Sequence, residues 1–505
     1  MKRYIALICI SMAGILLPQT GLLAQQVEPG AIGYYNEALL FSQTNPFQSA
    51  RTMGMGGTQV ALGGDASSIF ANPAGLGVYR RSEISFSPNM EFANSETEYF
   101  GSTTSNFRNK FSIPNLGLVI FSDGDENAAF KGGSFGISLT KINDFDNRFS
   151  YNGENFDNSI IDFFLEDASG LTPGQLGGLT GFAYDHYLIN PANAAQNQYY
   201  SDVAGFPIQE EDIRTDGAQY QWSFGYGANF NDRIYLGLNL GITSLNYSER
   251  KTFREYDFFD PANPNDVSVL NDLSLTEGID ITGSGFNASV GAIFRPAAFL
   301  RLGASITTPT YYRLNEESFF DFTTNYNNYY FAPDDTVLTN ITTNSDLFLS
   351  RYDISTPLKL STGAAIFIGK TGFITVETDF VNYRGITIQS GDFSANADNQ
   401  TIDNIYNSTV NLRVGGEIRM GNLRLRGGFA RLGDAFSLDD GFDRSTKILS
   451  GGAGVRFDSY FLDFAVQHGW RNGAYSPYET FNSPSPVATT ASRSTNATIS
   501  VGWFF

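Results

Sequence analysis

In segment after segment of this chain, apolar residues fall at every second position. Ile234, Leu236, Leu238, Leu240 and Ile242 alternate with Tyr235, Gly237, Asn239, Gly241 and Thr243. Val410, Leu412, Val414, Ile418 and Met420 alternate with Asn411, Arg413, Gly415, Glu417 and Arg419. Leu449, Ala453, Val455 and Phe457 make another such face, and Leu462, Phe464, Val466 and Trp470 a further one. A period of two is that of a β-strand whose two faces meet different surroundings. A soluble sandwich also alternates, but its minor face is a dry core. Here Arg413, Glu417, Arg419 and Asp463 recur on the minor face, where a dry core would leave them costly. The last strand, Arg493 to Phe505, sets Ile499, Val501, Trp503 and Phe505 on one face and Ser500 and Gly502 on the other. An apolar outer face closed by aromatic residues suits a barrel strand set in lipid.

The pattern predicts about fourteen strands, at 82–93, 112–122, 132–142, 218–230, 233–249, 279–295, 299–312, 352–368, 372–385, 405–419, 422–431, 446–457, 459–470 and 493–505. Tight turns are expected at Asn231-Asp232, Pro296-Ala297, Gly369-Lys370, Gly421-Asn422 and Asp458-Ser459. Long polar segments separate them near 143–217, 250–278, 313–351, 386–404, 432–445 and 471–492. Short turns at one end, long loops at the other and an even strand count describe an outer-membrane barrel. The expected fold class is all-β, a transmembrane antiparallel β-barrel. Residues 25–81 precede the first strand and are rich in Gly and small residues, with too little apolar area for an independent domain. They are expected to form an N-terminal hatch in the lumen, with 82–505 as the barrel and its long extracellular loops.

Composition sharpens this reading. Lys2 and Arg3, the apolar run Ile5 to Leu17, and Leu22-Leu23-Ala24 read as a signal peptide over 1–24. The expected location is the outer membrane of a Gram-negative bacterium. The single cysteine, Cys9, lies in that segment, so the exported chain would carry no disulfide and no thiol chemistry. Mean hydropathy of -0.18 is low for a helical membrane protein and ordinary for a barrel with a polar lumen. The 44 Phe and 26 Tyr supply interfacial girdles. Net charge is -20, which argues against a nucleic-acid partner. The acidic loops instead suit solvation, or contact with lipopolysaccharide through divalent cations.

Residues Gly63-Gly64-Asp65-Ala66-Ser67-Ser68-Ile69-Phe70-Ala71-Asn72-Pro73-Ala74-Gly75-Leu76 resemble the hatch of the FadL/TodX family of outer-membrane transporters for long-chain fatty acids and other hydrophobic compounds. Further likeness runs through Asp353 to Leu360, Leu412 to Glu417 and Gly451 to Phe457. The resemblance covers most of the chain after 24 and is patchy in the long loops. It implies a hatch built on Gly63, Gly64, Asp65, Asn72, Pro73, Ala74 and Gly75. It also implies capture of an apolar ligand outside, transfer to a lumen pocket, and sideways diffusion through an opening at a kinked third strand. Gly132, Gly133 and Gly136 are the candidate lateral gate, since glycine weakens a ladder or admits a bulge.

In the longest loop, Ser159 to Asp167 reads as a short helix with Asn158 near its cap. Its Ile160, Ile161, Phe163, Phe164 and Leu165 form a candidate capture groove for acyl chains. The other reading packs them on Leu176, Leu179 and Phe182 to cap the barrel mouth. Among the lumen charges, Glu377, Arg413, Glu417 and Arg419 brace wall and hatch as ion pairs, or one arginine holds a ligand carboxylate. Gly132 to Gly136 spells a hydrolase elbow, but it lies in mid-strand without a histidine partner. Asp123-Gly124-Asp125-Glu126-Asn127 lacks the glycine and closing acid of a calcium loop. His186 and His468 do not pair as haem ligands. No enzyme activity, metal or cofactor is expected. The expected partners are a hydrophobic small molecule, membrane lipid and the barrel assembly machinery, which would meet the C-terminal strand; the expected state is a monomer. A rival reading resembles the shuttle barrels of type IX secretion, which dock exported proteins. An open polar porin is a third, disfavoured by the hatch.

Overall fold

The computed structural model describes residues 33–125, 127–260, 267–438 and 440–505. The expected signal segment, Cys9 and the first residues of the hatch lie outside them.

Alternation becomes a wall of fourteen antiparallel strands closed on itself. In order, β1 is Glu83–Tyr99, β2 Ser102–Asp123, and β3 Phe130–Asp144 resuming as Asn147–Glu154. Next come β4 (Phe206–Phe230), β5 (Ile234–Phe259) and β6 (Leu270–Ala297). Three more strands are broken once, as β3 is: β7 (Leu300–Thr307, then Tyr311–Phe331), β8 (Phe348–Ser355, then Lys359–Ile368) and β9 (Gly372–Asn382, then Thr387–Ser390). The breaks in β7 and β8 contain Pro309 and Pro357, which cannot donate to a ladder. The wall finishes with β10 (Ser408–Met420), β11 (Leu423–Leu432), β12 (Thr446–Arg456), β13 (Tyr460–Tyr475) and β14 (Ala488–Phe504). Closure comes from β14 pairing with β1, from Glu83↔Phe504 to Glu98↔Thr489. Closure satisfies both edges, which a sheet in lipid requires.

The two faces sort as the alternation predicts. Leu240 is 58 % exposed and Ile242, Val290, Ile374, Leu449 and Trp503 are similarly bare, while Tyr235, Asn239, Thr243 and Ser289 are buried. Such an outward apolar belt has no place in water. The two ends of the barrel wall meet at the short-turn side, where Ser82 N donates to Phe505 O and Phe505 N to Ser82 O, each at 3.1 Å. The turn at Asn231-Asp232 has φ of 54° and 55°, the twist-matched hairpin geometry.

Inside the wall, residues 33–81 fold as α1 (Tyr34–Ser42), α2 (Ala50–Met53), α3 (Ser68–Ala71) and a 3-10 turn at Pro73–Val78. Their backbone lies directly on wall glycines. A Cβ at Gly237 would sit 2.2 Å from Pro73 C, and one at Gly428 2.2 Å from Met55 C. The outer loops add α4 (Ile160–Ala168), α5 (Gly178–Asp185) and α6 (Asn396–Ile405).

Two expectations need correction. Most of 250–278 and 313–351, read as polar loop, is strand that rises beyond the apolar belt. There neither face meets lipid, so alternation fades while the ladder continues. The stretch 386–404 holds β-structure and most of α6 rather than open loop.

Candidate functional site

The hatch is a set of tight turns stitched by short side chains. Gly63 and Gly64 both have positive φ, 68° and 65°, which residues with a Cβ rarely adopt. Asp65 accepts from Ser49 Oγ at 2.9 Å and from Ser67 N at 3.0 Å. Asn72 Nδ2 donates to Val60 O at 2.7 Å and to the wall at Ala292 O at 3.3 Å, while its Oδ1 accepts from Ala74 N at 3.1 Å. Pro73 opens the 3-10 turn, where its missing N–H costs nothing. Ala74 packs on Tyr235 and Ile293 of the wall, and Gly75 O accepts from Gly64 N at 3.1 Å.

The lumen charges tie this hatch down. Glu377 accepts from both Gln59 N and Val60 N at 2.8 Å and lies 3.5 Å from Arg413, which also bonds Asp379. Glu417 accepts from Arg426 and Arg419 at 2.8 Å each and stands 3.7 Å from Arg51 of α2. Arg426 continues to Asp463 at 2.7 Å, with both side chains fully buried. All four charges named from the sequence are therefore engaged with each other or with the hatch.

The wall is not continuous everywhere. β2 pairs with β3 only from Asn115↔Thr140 to Asp123↔Gly132. Beyond that, Ser102 to Ser112 pair with β1, while Lys141 to Glu154 pair with β4. No strand ladder joins β2 to the upper part of β3 among the described residues. Side chains bridge the gap instead: Asn106 Nδ2 to Ser150 Oγ at 2.9 Å, Arg108 to Asp146 at 3.1 Å, and Lys141 Nζ to Ser112 Oγ at 3.2 Å. The hatch fills part of the vacated edge, since Asn45 N donates to Ile142 O at 3.0 Å and Phe47 N to Lys141 O at 2.9 Å.

Gly132, Gly133 and Gly136 do not mark this gap. Gly132 and Gly136 pair with Asp123 and Val119 of β2, and Gly133 and Gly136 with Ala228 and Gly225 of β4. Gly132 (φ 122°) sits at a bulge near the short-turn end, and Gly136 leaves room for Ile69 of the hatch, 2.7 Å from where its Cβ would be. The sequence signal nearest the gap is Pro114, which lacks a donor just where the β2–β3 ladder stops.

At the outer mouth, Ser159 rather than Asn158 caps α4, with Asp162 completing a capping box. Glu255 of β5 accepts from Ile160 N at 2.8 Å. Ile160, Ile161, Phe163 and Phe164 are buried against Leu179, Leu188 and the wall residues Leu273 and Phe322, with Leu165 partly covered. Among the described residues they form no open groove, which corrects the capture assignment; α4 instead covers the mouth. His186, at the end of α5, is buried between Thr324 and Thr343 at 3.1 and 2.8 Å, and burial pushes its pKa down to about 4.

A cavity of about 1000 Å³ opens beside this cover. It is bounded by Tyr34 and Tyr35 of α1, Leu179 and Phe182 of α5, Ile279 of β6 and Phe320 of β7. Its walls come from segments hundreds of residues apart, which no local pattern announces.

Three solved structures share this fold. A Pseudomonas aeruginosa FadL homologue superposes with a TM-score of 0.56 at 13 % identity, covering 91 % of this chain and 99 % of that one. The chain has the FadL fold. The toluene transporters TodX of Pseudomonas putida (TM-score 0.50, 12 % identity, covering 91 % of this chain and 99 % of that one) and TbuX of Ralstonia pickettii (0.50, 13 %, 90 % and 98 %) also align. No family model and no curated protein sequence matches the chain. The FadL fold and the outward apolar belt together are those of an outer-membrane barrel.

Proposed function

We propose that this FadL-fold barrel is an outer-membrane channel for passive uptake of hydrophobic small molecules with long-chain, fatty-acid-like hydrocarbon bodies. The ligand enters the mouth cavity, is stopped by the hatch, and leaves sideways into the membrane between β2 and β3. The observation that carries this reading is the stretch over which β2 and β3 do not pair with each other, together with the hatch segment bonded to the edge of β3. An apolar solute gains nothing from a straight path into water, and a side exit delivers it to lipid. The hatch contacts at Ile142 and Lys141 support a link between hatch movement and opening of that exit. Two proteins of this fold are toluene transporters, which agrees with an apolar cargo.

The test uses the absence of cysteine beyond position 9. Asn106→Cys with Ser150→Cys places a disulfide across the gap. Uptake of a radiolabelled long-chain hydrocarbon probe by intact cells is expected to fall under oxidation and return with reductant. Undiminished uptake in the fully cross-linked protein would exclude the side exit.

A further inference from the structure

The outer rise of β7 is flanked by a return strand whose far edge pairs with no other strand. After a hairpin at 332–335 the chain comes back along β7 as Thr336–Asn344 and then as the first part of β8. Asn344 pairs with Asp321 and Phe348 with Ser318, so three residues, 345–347, face two, 319–320. The return is therefore one long strand carrying a bulge. On its far side β9 reaches only Tyr352 to Ser355, and above Ser390 the chain leaves for α6. From Thr336 to Ser350 no second strand lies alongside among the described residues. No backbone N–H or C=O of 337–344 is bonded outside the β7 ladder there.

Such an edge is normally blunted by charge or proline. The run Thr336-Val337-Leu338-Thr339-Asn340-Ile341-Thr342-Thr343-Asn344 has neither and is rich in β-branched residues. It is also held in place. Leu338 and Ile341 pack into the cluster under α4 and α5, and Thr343 Oγ1 meets His186 Nε2 at 2.8 Å. A partner would find the edge already ordered, which lowers the cost of binding. Along the same stretch Val337 and Leu349 are 56 % and 68 % exposed. They stand above the apolar belt, where lipid does not account for them.

Charge decides among the occupants. From Leu314 to Ser350 the chain carries Glu316, Glu317, Asp321, Asp334, Asp335 and Asp346, and no lysine, arginine or histidine. A second copy pairing antiparallel about Asn340 would set Asp334 against Asp346, and an in-register parallel pair would set each acid against itself. The segments outside the described residues fit no better. Residues 25–32 hold Glu28 and Pro29 and no cation, and 261–266 hold Pro261, Pro264 and Asp266. We propose that this edge docks an extended segment of another protein, β-prone in its middle and basic at its ends, as an added strand outside the membrane. Main-chain bonds to 336–350 supply affinity, alternate apolar side chains meet Val337 and Leu349, and the basic ends meet Asp334, Asp335 and Asp346. This role is separate from passage of a ligand through the barrel.

The experiment is fluorescence anisotropy with the purified full-length protein in a non-ionic detergent. The probe is a labelled peptide of alternating threonine and valine between lysine pairs. One comparator has glutamate pairs at the ends; the other keeps the lysines but is N-methylated throughout its middle. The lysine peptide is expected to saturate, with both comparators about tenfold weaker or more, and to protect the amides of 336–350 from hydrogen exchange. Thr339→Lys and Leu349→Lys put charge on exposed positions of the edge. Each is expected to weaken the lysine peptide about tenfold while heat-modifiable migration and hydrocarbon uptake stay unchanged. Replacing Asp334, Asp335 and Asp346 with asparagine is expected to abolish the preference for lysine ends and keep the sensitivity to N-methylation. Equal binding of the three peptides, binding unmoved by either lysine variant, or no saturable binding would overturn the proposal. Concentration-dependent barrel dimers that the same variants abolish would assign the edge to a second copy and overturn it as well.

Discussion

Two adjacent glycines on β11 separate hatch seating from every other property of the barrel. A Cβ on Gly428 would lie 2.2 Å from Met55 C and 2.3 Å from Gly56 N, whereas one on Gly427 meets only Ser450 O at 4.0 Å. Ordinary contacts are near 3.5 Å, so Gly428→Ala drives the hatch turn back by about 1 Å or more. That shift endangers the bond from Gly56 N to Ser450 Oγ at 2.9 Å and the packing of fully buried Met55. Overpacking of this kind costs about 1–3 kcal/mol and a stranded buried donor a similar amount. A total of about 3 kcal/mol shifts the seated–unseated equilibrium of the hatch turn about a hundredfold. Gly427→Ala makes the same change of residue type on the same strand and should stay within about 0.5 kcal/mol. Single-channel conductance in planar bilayers, with limited proteolysis of residues 54–64, reads the difference. Only Gly428→Ala should show open-channel events and cleavage. Equal tightness of the two variants would show that the hatch does not depend on close approach to the wall.

Other outcomes follow from the same geometry. Arg426→Met leaves Glu417 and Asp463 buried without their shared partner. It should destabilise the folded barrel by about 3–5 kcal/mol, seen as a lower temperature for loss of the heat-modifiable band; an unchanged transition would refute the bracing role. Replacing Asn72 and Pro73 with alanine removes the turn that binds Val60 and Ala292, so sensitivity to large antibiotics should rise. His186 titrates near pH 4 in the folded loop against 6.5 when exposed, so the unfolded loop binds the extra proton between those values. Through His186 the mouth cover should therefore loosen as pH falls from about 6.5 toward 4, while Glu255, pushed up to about 7 by burial, acts in the opposite sense over much of that range. Asp162 and Asp167, both raised by burial, act in the opposite sense nearer their own range. Proteolysis of 155–205 in wild type and His186→Gln isolates the histidine, and identical pH profiles would count against it. Deleting Trp503 to Phe505 removes the pairs to Glu83 and Ile84 and should block barrel closure; normal migration of the truncated protein would contradict this.

How much of this was legible follows from where the chain meets two different solvents. Ile234 to Ile242 alternate because lipid lies on one side and a polar lumen on the other, so face, strand order and barrel class could be read directly. The hatch motif was legible too, since Asn72-Pro73 and the positive-φ glycines encode turns locally. Where β5, β6 and β7 rise past the belt, both faces meet water or loop, and the alternation that marks a strand is gone. Only tertiary packing decided the rest. The apolar face of α4 reads equally as groove or cover until Leu273 and Phe322 arrive from the wall. The gap depends on which strand β3 abandons, a fact of pairing that Gly132 and Gly136 do not carry. The cavity draws Tyr34, Leu179, Ile279, Glu316 and Glu479 to one place from separate elements. Periodicity records the environment of a single segment; the lining of a cavity is set by segments that meet only when the barrel closes.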